Sequence, residues 1–227
     1  GAYSTPSGQG YGDHYYIKLE GNDEFPEAGI GRISVTTQQE LIAYLNKVFF
    51  YERDPHMVDT GWYLRGCVGA GSASSGVSTI YIGRYARHAA FEIGYTQVDT
   101  AWYNDGGGSV NTRNEQSVEA GVSFFSYRGY LGSGMSTTTI SNLTNYFMLP
   151  MVLTITCSEG NWTNGFSKNE AWMRAGTVNE PTGGIGAIAT ATSSTHTRYN
   201  NSLSGGGILS NLVLQIPEMG GTIFWSK

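Results

Sequence analysis

The stretch Trp62–Tyr103, WYLRGCVGAGSASSGVSTIYIGRYARHAAFEIGYTQVDTAWY, decides how this chain folds. It opens on WYLRGCVGAG, a short run that is apolar enough for a buried strand and that ends in a Gly-rich turn near Gly69–Ser72. A helical pattern then covers roughly Tyr81–Ile93 and stops at Gly94, a residue suited to a left-handed C-terminal cap. TQVDTAWY reads as the next strand. A helix between two strands implies a crossover connection, and hence strands that run parallel.

The same alternation extends in both directions. Upstream, Thr37 followed by Glu40 makes a capping box, and Leu41, Leu45, Val48 and Phe49 fall on one stripe, which predicts a helix over Gln38–Tyr51. Downstream come a short helix near Glu115–Glu119, a strand over Val122–Tyr127, a helix around Thr139–Leu143 and a strand over Pro150–Thr156. A further strand follows at about Ile185–Ala191, and Ile208, Leu209, Leu212, Val213 and Ile216 mark a last helix. The expected fold is α/β, a mainly parallel sheet with helices on both faces. A flexible Gly-rich lead, 1–14, precedes one domain, 15–227, expected to be a fragment of a longer precursor because the chain lacks an initiator Met.

With 227 residues, 40% of them hydrophobic, the chain is long enough to bury a sizeable core. Charged residues make up only 14% and the formal net charge is -5, so no basic field is present for a nucleic-acid partner. No stretch approaches the length of a membrane span. High Gly, Tyr and Trp with scarce Lys lean towards a secreted or cell-surface protein. Two cysteines and four dispersed histidines match no zinc spacing, so the expectation is no metal in the site and no required cofactor.

Ligands of a parallel sheet bind at the carboxyl ends of its strands, which singles out the loops Gly69–Ser72, Arg128–Ser136, Cys157–Gly165 and Thr192–Tyr199. Cys157 is the first residue past an apolar strand, where a thiol stands at the sheet rim and the backbone N–H groups after it are free to stabilise an oxyanion. A small buried side chain is the competing reading for any cysteine, and it wins for Cys67, inside its own strand. A nucleophilic cysteine needs a base, normally a His. His14, His56 and His88 lie on the lead, after a helix and on a helix, away from these loops.

Several stretches in fixed order resemble the gingipains, secreted cysteine peptidases with a caspase-like fold. They are Gly21-Asn22-Asp23, Gly31-Arg32-Ile33-Ser34 and Tyr51-Glu52-Arg53, then GYTQVD, GVSFFSY, LTNYFMLP, CSEGNW, EAWMRA and PTGGIGAIA. The resemblance implies a peptidase in which a His at one strand end deprotonates a Cys at the next, with an oxyanion hole formed by backbone amides. Cys157 in TITCSEGNW matches the nucleophile. In SYRGYLG, Tyr127 and Gly129 match the family's His loop, but Tyr130 occupies the His position and Leu131 replaces the Gly after it. The acid that orients the family's His corresponds to Ser72, and the specificity aspartate of the arginine-directed members to about Thr79. Arginine-directed cleavage is therefore not expected.

A neutral phenol is a poor base at neutral pH, so peptidase turnover is expected to be reduced or lost. His196, on the fourth loop, is the candidate to replace the missing base, with Tyr130 as donor to the oxyanion. Arg128 and Gly129 complete the expected substrate-binding set with Ser72 and Thr79. Structural calcium is a further implication of the resemblance, at Glu20, Asn22, Asp23 and Glu24, where a solvated turn is the alternative. The partners implied are a polypeptide substrate or neighbouring protein subunits. Two functions follow: a cysteine endopeptidase using Cys157, or a pseudoenzyme serving as a structural or binding module of a secreted or cell-surface assembly.

Overall fold

The computed structural model describes residues 2–5, 8–23, 25–72, 75–130, 134–163, 165–216 and 218–219. Two short strands, β1 (Ala2–Thr5) and β2 (Gly8–Tyr11), pair antiparallel at the N-terminus. The body is a five-stranded sheet made of β3 (Arg65–Ala70), β4 (Gln97–Trp102), β5 (Phe124–Arg128), β6 (Met151–Thr154) and β7 (Gly186–Ala189). Their spatial order is β4-β3-β5-β6-β7, and every neighbouring pair is parallel. β5 and β6 are buried along their whole length, the near-continuous burial expected of parallel strands covered on both faces.

Among the described residues six α-helices accompany the sheet: α1 (Gln38–Arg53), α2 (Ser78–Glu92), α3 (Val110–Glu119), α4 (Thr137–Ser141), α5 (Lys168–Arg174) and α6 (Thr197–Ile208). Side chains alternate between the two faces of the strands with period two. Cys67, Phe125, Tyr127 and Val152 pack with Val118 of α3, Ile140 of α4 and Trp172 of α5. Val68, Phe124 and Leu153 pack on the other side with Ala86, Ala89 and Ala90 of α2 and Ile208 of α6. The Phe125 and Trp172 rings lie 5.3 Å apart. Each buried Val, Leu, Ile or Phe side chain among them contributes about 1.5–3 kcal/mol, so the two clusters make the core.

The strand order positions the site. The chain leaves β3 through α2 on one face to reach β4, then crosses back through α3 on the opposite face to β5. The segments that follow β3 and β5 consequently depart towards opposite faces, although the two strands are neighbours. Such a reversal opens a crevice at the carboxyl ends of the strands.

The mainly parallel sheet and the helices on both faces agree with the sequence reading, and Gly94 does cap α2, at φ +101°. Four details differ. The lead, expected to be flexible, contains the β1–β2 pair. α1 does begin with the Thr37–Glu40 capping box, but its apolar stripe does not face the core: Leu45 is 38% and Phe49 53% exposed. Ala43 and Lys47 turn inwards instead, because α1 packs outside α5 and the contact is made by the Lys47 stem. α5 escaped the sequence reading, although Ser167 and Glu170 form a second capping box that announces it.

α6 lies where a loop was expected, and the segment expected as the last helix follows it as a short wide turn, Leu209–Val213. The buried side of α6 carries Asn200, Ser204 and Ile208, with Gly207 beside them, so no apolar stripe advertises it. Gly205–Gly207 also depress helix propensity, which tertiary contact with α2 overrides.

Candidate active site

Cys157 stands three residues past the end of β6, half-buried at the carboxyl rim of the sheet. Its Sγ lies 3.9 Å from the Thr195 carbonyl oxygen and 3.9 Å from the amide nitrogen of Asn200. The residue after it, Ser158, holds a left-handed backbone at φ +60°, a conformation that costs a non-glycine residue on the order of 1–3 kcal/mol and must be held by its surroundings. The restraints are visible: the Ser158 N–H donates to Thr192 O and the Gly160 N–H to Thr190 O, both at 3.0 Å. These two amides are therefore committed to the β7–α6 connection, which corrects the expectation that the amides after Cys157 are free for an oxyanion.

The β5 side of the rim is built around Gly129. A Cβ there would fall 2.6 Å from the Tyr127 ring carbon that bears the hydroxyl and 3.0 Å from Gly71 Cα, so no larger residue fits. The Gly129 carbonyl accepts from Thr156 Oγ1 and from the Arg128 guanidinium, each at 2.8 Å. Gly71 N–H in turn donates to Arg128 O at 3.0 Å. These bonds tie the ends of β3, β5 and β6 together.

Arg128 is 2% exposed. Beyond Gly129 O its guanidinium donates to Asn201 Oδ1 of α6 at 2.9 Å and to Ser75 Oγ, in the β3–α2 connection, at 3.1 Å. All three acceptors are neutral, and among the described residues no carboxylate pairs with this cation. Burial pulls the guanidinium below its ordinary value, and the nearby Cys157 and Tyr127 act in the opposite direction.

The remaining expected site residues fall as follows. Tyr130 is 58% exposed at the rim, and Leu131 lies outside the described residues. His196 is exposed and serves as the N-cap of α6, its Nδ1 accepting from the Arg198 N–H at 3.2 Å. The hydrogen bonds of Cys157 involve residues on either side of His196, not its imidazole. Ser72 is exposed at the rim. Thr79 is fully buried in the first turn of α2, where its hydroxyl donates to Gly71 O at 2.9 Å, so it ties the β3–α2 loop to the helix. Cys67 is buried beside Asn114, and burial pushes its thiol up to about 12. In the acidic turn, Asp23 accepts from the Phe25 N–H and Glu24 lies outside the described residues. Among the described residues no group of three His, Cys, Asp or Glu side chains is placed to hold a metal.

Two features of the rim were not legible beforehand. Ser75, Asn200 and Asn201 reach it only because α6 forms and docks on α2. Glu159, 2% exposed, pairs with Lys168 at 2.8 Å beneath Gly134, close to the loop that carries Tyr130. Burial pushes the Glu159 carboxyl up, and the Lys168 ammonium offsets part of that rise. Elsewhere, a cavity of about 810 Å³ opens beside β7, where Arg32 lies 4.0 Å over the Trp162 ring and pairs with Asp13. It reaches the Cys157 loop only through Gly160 and Trp162.

Comparison with known proteins places this geometry. Gingipain R2 and gingipain R1 of Porphyromonas gingivalis are each 29% identical over 191 residues, 78% of this chain. The chain spans 25% of the first and 19% of the second. Among solved structures, the Arg specific cysteine proteinase gingipain R (RgpB) superposes with a TM-score of 0.83 over 99% of this chain and 54% of its own, at 24% identity. A complex of Porphyromonas gingivalis RgpB pro- and mature domains superposes equally well, with a TM-score of 0.83. The sheet, flanked on both faces, is thus the caspase-like α/β fold. The sequence pattern of peptidase family C25 matches residues 3–223, so the chain belongs to that family of cysteine peptidases.

Proposed function

We propose that this chain is a gingipain-like cysteine peptidase domain that keeps Cys157 in the nucleophile position but has reduced or no peptide-hydrolysing turnover. The observation that carries the reading is the environment of the sulfur. Attack on a peptide carbonyl requires the thiol proton to leave, and the hydrogen-bonding neighbours of Cys157 are a carbonyl and a carboxamide. Neither is a base. Tyr130, in the place where the family's His stands, is a phenol that donates a proton more readily than it accepts one at neutral pH. His196 is spent on capping α6. Loss of general-base assistance lowers turnover by about 10²- to 10⁴-fold.

The test is hydrolysis of a denatured protein substrate by the chain, its Cys157→Ala variant and a Tyr130→His variant. Background-level turnover in the first two, with a gain in the third, supports the reading. Efficient hydrolysis by the unaltered chain that vanishes in Cys157→Ala overturns it.

A second reading, a structural or binding module of a secreted or cell-surface assembly, draws on Tyr130 and Tyr199, 58% and 63% exposed at the rim. Aromatic side chains with a polar tip suit a protein contact. A structural relative is known in complex with its own pro-domain, which makes a protein partner at this domain a natural expectation. No helix among the described residues is long and apolar enough to cross a membrane.

A further inference from the structure

A buried guanidinium is a costly thing to leave without a counter-ion. Arg128 sits where the cost has a use. It ends β5, one of the two strands bounding the crevice created by the reversal of strand order, and its partners come from two separate segments on the α2 side of that crevice: Ser75 from the β3–α2 connection and Asn201 from α6. The neighbouring residues Asn200 and Thr195 touch the sulfur of Cys157. A half-buried thiol and a buried cation without a carboxylate partner among the described residues therefore share one wall of the same rim.

The number of donors is also unequal to the number of acceptors. A guanidinium carries five N–H groups. Three bonds are made, to Asn201, Gly129 and Ser75, and the acceptors are a carboxamide, a carbonyl and a hydroxyl. Two N–H groups make no hydrogen bond among the described residues, and the forked geometry of a guanidinium matches a carboxylate. Two acidic groups in loops that follow strands of the sheet are engaged elsewhere: Glu159 is paired with Lys168 beneath Gly134 and Asp105 with Arg113.

We propose that Arg128 is the specificity-determining residue of the Cys157 site and that the site receives polypeptide segments through an acidic side chain, Asp or Glu, lying against the guanidinium. The inference deepens the reading of Cys157 as a nucleophile-position thiol and rests on it. An arginine side chain would bring a second cation against the first, whereas a carboxylate neutralises a charge whose desolvation has already been met by folding. Asn201 and Ser75 hold the guanidinium in place, and so act as positioning residues.

The experiment uses peptidyl chloromethyl ketones that differ only in the residue next to the warhead, Asp, Glu, Ala or Arg. The Cys157 sulfur forms a thioether and chloride leaves, so no turnover is needed. Labelling at Cys157 is followed by intact mass, with iodoacetamide as a small uncharged reference reagent. The expected result is that the Asp and Glu probes label at least about tenfold faster than the Arg probe, a difference of roughly 1.4 kcal/mol. With each rate taken relative to that of iodoacetamide on the same variant, Arg128→Gln should erase the ranking and Arg128→Lys should retain it in part. If Arg128→Gln does not fold, the ranking in the unaltered chain decides by itself. Iodoacetamide labelling of Cys157 together with equal rates for all peptidyl probes, or with Arg fastest, overturns the inference and leaves the Cys157 reading intact. Failure of every reagent, iodoacetamide included, overturns both.

Discussion

Two chemically matched pairs of residues, one member in the body of the molecule and one at the sheet rim, show how position alone changes what a side chain does. Lys47 and Arg128 are both buried cations with no carboxylate partner among the described residues, at 0% and 2% exposure. Lys47 reaches from α1 to the carbonyls of Trp172 and Met173, at 3.4 and 2.8 Å, so it caps the negative end of α5. Burial lowers its ammonium to about 7, which lets it shed the charge near neutrality. Arg128 has no such escape, because a guanidinium keeps its proton at any ordinary pH. The body cation is a structural cap; the rim cation is the one we propose to meet a ligand.

The thiols divide the same way. Cys67 lies in β3 at 1% exposure, while Cys157 is half-buried at the rim. The largest expected contrast is kinetic: in the native state iodoacetamide alkylates Cys157, and Cys67 reacts only through the unfolded fraction, at least about a thousandfold more slowly. Mass spectrometry of peptides after timed alkylation reads this directly. Comparable rates for both thiols would break the division between rim and body.

Substitution of Lys47 gives the next largest effect. Lys47→Ala empties the space of its stem and strands two carbonyls, and should cost about 3–5 kcal/mol in urea unfolding. Lys47→Met keeps the volume and tests the charge instead. The lysine binds its proton more weakly in the folded state, about 7, than in the unfolded chain, 10.5. Below pH 7 both states hold the proton and the full penalty of the buried charge is present. As pH rises from 7 towards 9.5 the unfolded state holds more protons, so unfolding free energy increases with pH. The unaltered chain should show that rise, and Lys47→Met should flatten it. A slope that survives in Lys47→Met would refute the assignment to this residue.

The smallest effect belongs to Ser75→Ala. It removes one neutral hydrogen bond to the Arg128 guanidinium and one to Thr197, and should cost about 1–2 kcal/mol without changing the labelling of Cys157 by iodoacetamide. Its value lies in the comparison: if the loss slows acidic peptidyl probes selectively, Ser75 positions the cation; if all probes slow equally, the β3–α2 connection has moved.

The alternation of strand and helix, the capping box of α1 and the cap at Gly94 were all readable because each is written in residues adjacent in the chain. So was Cys157 just past a strand, whereas Tyr130 in the base position is what the family resemblance implies. α6 was hidden because its buried side is Asn200, Ser204 and Ile208 rather than an apolar stripe, and the capping signal of α5 was present but short. The face of α1 was misjudged because a lysine, not a leucine, makes its inward contact.

What the sequence determined by itself is therefore a parallel α/β sheet of the peptidase family with a thiol at its rim. What only the tertiary structure decided is the company that thiol keeps. Arg128 meets Ser75 across 53 residues and Asn201 across 73, and no local pattern encodes a contact between residues so far apart. Strand order brings their loops to one crevice, and burial then makes a single uncompensated charge there matter more than it would in water.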